Sequence, residues 1–429
     1  MQLLQHLIVL MPNKKTLLLC WDFPPNDGIG GRRWAKIAKW LLKSGHEIHV
    51  IKSKSKVGNQ NSAWLSDVKS DQIHIYEVNT YLPVKWLNSK ENKFSDKLKY
   101  KFAAIYLTFF SKGTIYDKAI GMERDVVKLA SKIIELNKIE NVIVTGAPFN
   151  LIYYAAKIKL VFPKLFVLAD YRDPWLNAVN YGMQNLTAKN KLAEQNKQNL
   201  VFETIDVITA PNSILLNEIK GTYTGRNLIK ANFVELPHAY DEDDFLNYDI
   251  LKNDTSHALK IVYAGSVYLG AKSYLEEFIN QINKYNCKNE HVVELEIYMD
   301  DYKSLHQFQN ATISIKPSVG KDIFKIISEA DYVLILLAEH NKDFKTTKFY
   351  EFLPFQKPYL YIGSLGEVSK IISEDKMGFV IKDVKNETVS FIESHFSSNL
   401  VFNGLSKFKN HTFQKRVELI NNLIEKIDA

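Results

Sequence analysis

The sequence has only two cysteines, Cys20 and Cys287, among its 429 residues. Two cysteines cannot build a disulfide framework or a cysteine-based zinc site, so both of these are excluded. We expect the two side chains to be free, buried thiols, which suits a reducing compartment.

Long hydrophobic runs are also missing. No segment reaches the roughly 18 consecutive apolar residues of a membrane-spanning helix, and the longest clear run, residues 332–338, has the length of a buried strand. The start, MQLLQHLIVLMPNKK, is apolar but lacks the basic region and the small-residue cleavage site of a signal peptide. We expect a short leader to the first strand, or a start upstream of Met11, in a cytoplasmic protein.

Common catalytic and metal-binding motifs are absent as well. The eleven histidines show neither H-x-x-x-H nor H-E-x-x-H spacing, and the sequence contains no G-x-S-x-G. The charge balance, 55 Lys+Arg against 48 Asp+Glu, is only modestly basic. It is compatible with nucleotides, phosphates or lipid headgroups and does not require nucleic acid. We therefore expect no metal site and no nucleic-acid partner.

What the sequence does contain is an alternation of strand and helix patterns that starts twice. An apolar run at 16–21, an amphipathic stretch at 32–43 and a second apolar run at 47–52 predict a βαβ unit. After an acidic linker at 236–259, the alternation resumes and ends in an amphipathic helix at 412–427. The chain is therefore predicted to be α/β, with two mostly parallel sheets. The further predicted strands are 141–145, 165–170, 205–209, 260–264, 293–299, 332–337 and 359–362, and the further helices are 151–161, 274–285, 323–330 and 348–355.

A glycine-rich loop follows the first predicted strand. It reads DFPPNDGIGGRR from Asp22 to Arg33 and contains Gly28, Gly30 and Gly31. Ligands of open parallel sheets bind at this place, and glycines let the backbone approach them. The loop has neither the third glycine of G-x-G-x-x-G nor the Lys-Ser/Thr of a P-loop, so a tight strand-to-helix turn is the alternative.

Two further groups of residues could carry chemistry. The block Asp170-Tyr-Arg-Asp173-Pro-Trp175 follows a strand, and it is either a functional group or a local ion pair beside a buried tryptophan. Lys348 and Glu351 lie three residues apart on one helix face. This pair suits the diphosphate and the ribose diol of a nucleotide, or it is a surface salt bridge worth a few tenths of a kcal/mol.

A basic, aromatic stretch interrupts the alternation at about 81–116. It mixes aromatic residues such as Trp86, Phe102 and Phe110 with seven lysines. Such a composition favours contact with an anionic membrane surface, which would place the protein peripherally on the inner face of the cytoplasmic membrane. The alternative is a solvated helical pair whose aromatic side chains belong to the core of the first domain.

Taken together, these segments resemble a GT-B glycosyltransferase of the family-4 type. The resemblance covers nearly the whole chain. It begins with FPPNDGIGGRRWAKIAKW and includes VLADYRDPW, which is similar to the D-[FY]-R-D-P-W motif of bacterial surface-polysaccharide enzymes. Its most specific block is TTKFYEFLPFQKPYL. It implies two Rossmann-like domains facing each other across a cleft: an acceptor-side domain at 1–238 and a donor domain at 239–410. A C-terminal helix at 411–429 would cross back onto the first domain.

The resemblance also implies roles for individual residues. Glu351 would hold the ribose of the nucleotide. The catalytic candidates are Asp173, at the donor sugar or acceptor, with Asp170 beside it, and Asp343, which stands where the family has a glutamate that binds the sugar. The expected contacts to the diphosphate or its phosphates are Lys348, Thr347, Gly30, Gly31, Ser266 and Lys272.

The implied activity is retaining transfer of a sugar from a nucleotide-diphosphate sugar to a glycan or polyprenyl-linked acceptor, without a metal or other cofactor. Developing charge on the leaving diphosphate can be stabilised by lysines and helix N-termini, so a metal is not required. Two alternatives remain: a nucleotide-sugar 2-epimerase on the same fold, and a non-catalytic subunit that binds a nucleotide sugar or a partner enzyme.

Overall fold

The computed structural model describes residues 14–26, 29–55, 64–87, 93–245, 258–267, 270–339, 342–343, 346–397 and 409–428. The expected leader and Gly28 of the glycine loop lie outside these residues. The chain divides into two compact units: unit 1 is Met1–Pro237 with Arg416–Ala429, and unit 2 is His238–Lys415.

In the described residues, unit 1 contains a seven-stranded parallel sheet with the order β3-β2-β1-β4-β5-β6-β7. The strand order reverses between β1 and β4, which is where ligands bind in open α/β sheets, beyond the carboxyl ends of the strands. The strands are β1 Lys14–Leu19, β2 His46–Ser53, β3 Ile73–Val78, β4 Asn141–Gly146, β5 Phe166–Tyr171, β6 Val207–Ala210 and β7 Asn232–Glu235. The helices are α1 Ile29–Lys43, α2 Leu82–Leu87, α3 Phe94–Phe110, α4 Glu123–Asn137, α5 Phe149–Val161, α6 Ala188–Thr204 and α7 Ser213–Gly221.

Unit 2 repeats this plan with a six-stranded parallel sheet in its described residues, ordered β10-β9-β8-β11-β12-β13. Its reversal lies between β8 and β11. The strands are β8 Ala258–Ala264, β9 Val292–Tyr298, β10 Ile313–Lys316, β11 Tyr332–Leu337, β12 Tyr359–Gly363 and β13 Gly378–Ile381. The helices are α8 Lys272–Asn286, α9 Ile323–Ser328, α10 Thr347–Glu351, α11 Glu367–Glu374 and α12 Val384–Ser397, and the last helix, α13 Phe413–Asp428, belongs to unit 1 from Arg416 onward.

The predicted alternation is confirmed, and its physical basis is burial on both faces of each sheet. All six residues of β11, YVLILL, are buried, as a strand covered by helices on both sides requires. Helix α1 buries Trp34, Ile37, Ala38 and Leu41, so its apolar face packs on the sheet. It ends at Lys43, and Gly45 follows with a positive φ of 89°, a conformation that favours glycine.

The C-terminal helix α13 packs onto unit 1 over most of its length. The Arg416 side chain donates a hydrogen bond to the Pro237 carbonyl at 3.1 Å, and Asn421 Oδ1 lies 2.9 Å from His46 Nε2. Near its end, Glu425 forms an ion pair with Lys14 of β1 at 2.8 Å. The return of the last helix to the first domain, which the sequence predicts, is therefore present.

Three expectations need correction. The helix predicted over 348–355 is shorter, because α10 ends at Glu351 and a separate 3-10 turn, Leu353–Phe355, contains Pro354, which cannot donate a backbone hydrogen bond. Cys20 is buried, but Cys287 is exposed, since it follows the last turn of α8. The alternative interpretation of the stretch 81–116 put its aromatic side chains in the core; the described residues do form the helices α2 and α3, but Phe94, Phe102, Phe109 and Phe110 are exposed.

Candidate functional site

The residues singled out in the sequence gather beyond the carboxyl ends of the strands in each unit. In unit 1, Gly30 and Gly31 follow β1, and Asp170 and Asp173 lie near the end of β5 and just after it. In unit 2, Ser266 follows β8, Lys272 begins α8, and Asp343 precedes α10, which contains the remaining residues: Thr347, Lys348 and Glu351.

Asp170 in β5 is a fully buried carboxylate with several hydrogen-bond donors around it. Arg33 donates to both of its oxygens, from Nε at 3.2 Å and from Nη2 at 3.4 Å. The indole of Trp34 donates at 3.2 Å and the hydroxyl of Thr209 at 2.9 Å. Because this carboxylate joins α1, β5 and β6 inside the unit, its geometry favours a positioning role over contact with a substrate.

Arg172, the residue after β5, contacts both the end of β4 and the first turn of α1. Its guanidinium donates to the backbone carbonyls of Gly146 at 3.0 Å and Ala147 at 2.9 Å, at the end of β4. A Cβ placed on Gly30 would lie 2.1 Å from Arg172 Nη1. The first turn of α1 can therefore approach this guanidinium only because residue 30 is glycine.

Gly31 has a different steric reason. A Cβ at this position would lie 1.8 Å from the backbone carbonyl oxygen of Asp22, in the loop that follows β1. The glycine lets α1 begin directly against the strand-to-helix loop. The alternative of a tight turn therefore has direct structural support for Gly31, and the two adjacent glycines have different neighbours.

Asp173 is half-buried beside Arg172. Burial raises the pKa of its carboxyl, and the Arg172 guanidinium partly opposes that rise. Burial also raises the pKa of Tyr181 to about 12, and the Asp173 carboxylate adds to this effect. Asp173 therefore is a partly desolvated carboxyl beside a cation, just after the end of β5.

Two buried carboxylates of this region escaped sequence reasoning. Asp117 accepts the backbone N–H groups of Phe149 at 2.6 Å and Asn150 at 3.1 Å, so it caps the start of α5. Glu194 accepts from the Trp175 indole at 2.9 Å and from the Thr114 backbone at 2.8 Å. Burial raises the pKa of both carboxyls. Neither belongs to a recognisable motif, because their partners come from distant segments.

Unit 2 places Lys348 of α10 against the residue that follows β8. Gly265 has a φ of +136°, and a Cβ there would lie 1.4 Å from Lys348 Nζ. The same ammonium lies over the ring of Tyr263, 5.0 Å from its centroid. Burial lowers the pKa of Lys348 to about 8, and the charges of Glu351 and Asp300 only partly oppose this shift. The cation is thus held in surroundings that disfavour its charge, as a site for an anion would be before the anion binds.

Glu351 is at the last position of α10 and is only 8% exposed. It is close enough to Lys348 to act on the pKa of that lysine. Its burial argues against the reading of this pair as an exposed surface salt bridge. The pair offers one cation and one carboxylate, the two groups that a diphosphate and a ribose diol need.

The other expected residues of unit 2 have separate surroundings. Thr347 begins α10 and is half-buried, and Ser266, directly after Gly265, is exposed. Lys272 at the start of α8 interacts with Glu276 at 3.8 Å. Asp343 adds to the rise in the pKa of Tyr361, which burial dominates. The structure therefore brings Lys348, Gly265 and Glu351 together, with Ser266 adjacent in sequence, and gives Lys272 and Asp343 other neighbours.

A group of side chains in unit 1, outside these two sites, has the donor atoms of a metal site. On β2 and β3, Glu47 Oε1 lies 3.2 Å from Nε2 of both His49 and His74. The two imidazole rings are stacked, with their centroids 4.7 Å apart and an interplanar angle of 29°. Lys15 also approaches Glu47 at 3.5 Å. This arrangement is explained by a carboxylate shared between two imidazoles.

Neither protein-family models nor curated protein sequences match this chain. Solved structures do match it, each at low identity. The N-terminal domain of Candida albicans trehalose-6-phosphate phosphatase has a TM-score of 0.64 at 10% identity, over 97% of both chains. A structure named trehalose-6-phosphate from E. coli, bound with UDP-2-fluoro glucose, has a TM-score of 0.60 at 9% identity, over 96% of this chain and 99% of the other. Sucrose-phosphate synthase from Thermosynechococcus elongatus has a TM-score of 0.53 at 9% identity, over 97% and 98%.

These similarities extend over both units and concern the fold. The chain is an α/β protein with two parallel sheets, and it has the two-domain, Rossmann-like GT-B fold. A fold does not determine an activity, which depends on the residues at the ends of the strands.

Proposed function

We propose that this protein is a glycosyltransferase that takes a sugar from a nucleotide-diphosphate sugar. The observation that carries the proposal is the half-buried Lys348, packed against Gly265 and Tyr263 with a lowered pKa, one helical turn from the buried Glu351. An incoming diphosphate would relieve the unfavourable burial of this cation. The names of two structures with the same fold point in the same direction, since one is bound with UDP-2-fluoro glucose and another is a sucrose-phosphate synthase.

In this proposal the residues of unit 2 bind the nucleotide. Lys348 and Thr347 contact the diphosphate, and the Glu351 carboxylate accepts hydrogen bonds from the ribose hydroxyls. Ser266 and Lys272 contact the phosphates, and Asp343 binds a hydroxyl of the sugar. When the bond to the sugar breaks, negative charge develops on the departing diphosphate, and the nearby ammonium stabilises it without a metal.

In unit 1, Asp173 is the proposed contact to the donor sugar or the acceptor, because its carboxyl is half-buried with a raised pKa. The backbone N–H groups of Gly30 and Gly31, in the first turn of α1, are the proposed contacts of this unit to the diphosphate, and Asp170 holds the surrounding elements in place. We propose the finer features from the resemblance to family-4 enzymes: retention of anomeric configuration, a glycan or lipid-linked acceptor, and a role in bacterial surface polysaccharide or glycoconjugate synthesis. Same-face attack needs no enzymatic nucleophile, and we name none.

A thermal-shift screen of the full chain against UDP, GDP, CMP, dTDP and ADP, with and without Mg²⁺, tests the nucleotide site. One nucleoside diphosphate at about 100 times its dissociation constant is expected to add about 2.7 kcal/mol of stability without the metal. Inorganic pyrophosphate serves as the comparison ligand, because it has the diphosphate charge but no ribose. No shift with any of these ligands would contradict the proposal.

Variants of Glu351 separate ribose binding from diphosphate binding. Glu351→Ala and the isosteric Glu351→Gln are expected to lower the affinity for the nucleoside diphosphate at least about tenfold, since hydrogen bonds to charged groups are worth about 1.5–3 kcal/mol. The affinity for pyrophosphate should not change. Glu374→Ala, an exposed glutamate of the same unit, is the matched control. Equal nucleotide affinity in the Glu351 variants and the wild type would refute this assignment.

A further inference from the structure

Helix α3 of unit 1 presents an apolar stripe to solvent. Five large side chains recur every three or four residues, which places them on one face of the helix. Each is between 57% and 84% exposed: Phe94, Leu98, Phe102, Ile105 and Phe109. A soluble domain rarely leaves such a continuous stripe in water, so this face is a candidate contact surface.

The core-facing side of the same helix is already accounted for. Ala103 and Leu107, about half a turn away from the stripe, are buried. Leu107 packs with Val84 and Leu87 of α2 and with Ile120. The helix is therefore anchored by its opposite side, and the exposed stripe is not needed for that packing.

Lysines surround the stripe with little opposing charge. Residues 93–112 contain five exposed lysines, Lys93, Lys97, Lys99, Lys101 and Lys112. The one acidic residue of this segment, Asp96, is buried and lies 3.6 Å from Lys99. A ring of positive charge around an apolar stripe is complementary to a surface that is negatively charged at its boundary and apolar below it.

We propose that this face of α3 binds the surface of an anionic lipid membrane. The phenylalanine and aliphatic side chains enter the boundary between headgroups and acyl chains, and each nearby lysine contributes about 1 kcal/mol, or about fivefold in affinity, through the anionic headgroups. No helix in the described residues is long and apolar enough to span a membrane, so this contact is with the surface. A second copy of the chain is a poor occupant, because it would bring two lysine-rich faces together.

This inference is independent of the proposed nucleotide site. The stripe lies in α3 of unit 1, and the nucleotide-binding residues lie in unit 2. Binding to vesicles requires neither nucleotide nor catalysis. A failure of membrane binding and a failure of nucleotide binding are therefore separate results.

Flotation of the purified full chain with vesicles tests the proposal. The protein is expected to float with vesicles of phosphatidylcholine and phosphatidylglycerol, and to stay behind with phosphatidylcholine alone. Binding should fall as salt is raised, because the lysines interact with the headgroups through screened charges. Flotation that is equal with neutral vesicles, or absent with both, would overturn the proposal.

Paired variants identify the surface. Leu98→Glu with Ile105→Glu should abolish flotation, whereas Leu136→Glu with Leu228→Glu, which alters two exposed leucines elsewhere in unit 1, should leave it unchanged. Lys97→Glu with Lys101→Glu should lower vesicle affinity by about 25-fold or more, and Lys128→Glu with Lys132→Glu on α4 should have much less effect. Equal losses in the stripe variant and its control would overturn the assignment.

Light scattering distinguishes binding of the stripe to a membrane from binding of the stripe to a second copy of the chain. The wild type is expected to be of the same size as the Leu98→Glu, Ile105→Glu variant in the absence of vesicles. A wild-type dimer that this variant dissociates, together with no flotation of the wild type, would show that the stripe is a self-association surface and would refute the membrane proposal.

Discussion

Both units place charged residues near the carboxyl ends of parallel strands, but in opposite electrostatic settings. In unit 1, Asp170 receives hydrogen bonds from Arg33, Trp34 and Thr209, and Arg172 donates to two backbone carbonyls. In unit 2, Lys348 lies against a glycine and an aromatic ring, and burial lowers its pKa to about 8. In unit 1, the charges of Asp170 and Arg172 are compensated by hydrogen bonds. In unit 2, the surroundings disfavour the charge of Lys348.

This difference separates two roles that sequence motifs do not distinguish. A buried ion pair with complete hydrogen bonding holds elements together, and removing one partner leaves the other charge buried and uncompensated. A buried cation with a lowered pKa costs stability until an anion reaches it. We infer that the Asp170 group maintains the frame of unit 1 and that the Lys348 group binds the ligand.

The largest expected effect is on the stability of unit 1. Asp170→Ala should lower the free energy of unfolding by about 3–5 kcal/mol, because it leaves Arg33 buried without its carboxylate. All six tryptophans lie between residues 21 and 175, so urea unfolding followed by tryptophan fluorescence reports on this unit.

The control for that prediction is the neighbouring aspartate. Asp173→Ala should change the free energy of unfolding by no more than about 1 kcal/mol, because Asp173 is only half-buried. If both variants are equally stable, the contrast between a frame residue and a ligand-facing residue within unit 1 is lost.

The next effect concerns Gly265. Gly265→Ala should lower the affinity for the nucleoside diphosphate at least about tenfold. A residue with a side chain is strained by about 1–3 kcal/mol at a positive φ, and the new Cβ would displace Lys348 Nζ. Gly320→Ala is the matched control, because Gly320 has a φ of +58° and nothing within 4 Å of its Cβ position. Titration calorimetry on both variants should show lost affinity in the first and wild-type affinity in the second.

The smallest effect is a pH dependence of binding. As pH rises above about 8, free Lys348 loses its proton, and the affinity for a nucleoside diphosphate should fall by up to about tenfold per pH unit. Lys348→Met should remove this slope and leave any titration of the nucleotide itself. A slope that survives in the variant would assign the pH dependence to another group.

The buried strands could be predicted from the sequence, but the strands at the sheet edges could not. All of β11, YVLILL, and the second half of β1, Leu17–Leu19, are continuous apolar runs, which are typical of central parallel strands. The edge strands β7 and β13, NFVE and GFVI, are short and half-exposed, so their pairing depends on neighbours that a sequence does not display.

The candidate site shows the same limit. The motif around Lys348 and Glu351 could be recognised because its residues are adjacent in sequence. The pairing of Arg33 with Asp170 joins positions 137 residues apart, and the contact of Gly30 with Arg172 spans a similar separation. The burial of Glu351 and the lowered pKa of Lys348 result from packing in three dimensions, which sequence spacing alone could not distinguish from a surface salt bridge.

The most direct test of the central claim is calorimetric melting of the wild type and of Lys348→Met at pH 7, with and without the nucleoside diphosphate selected by the screen. Lys325→Met, an exposed lysine in the same unit, controls for loss of charge alone. We predict that Lys348→Met melts above the wild type without nucleotide, because a half-buried charge with a lowered pKa has been removed, and that nucleotide no longer raises its melting temperature. A Lys348→Met variant that melts below the wild type and keeps the full nucleotide-induced shift would contradict the account.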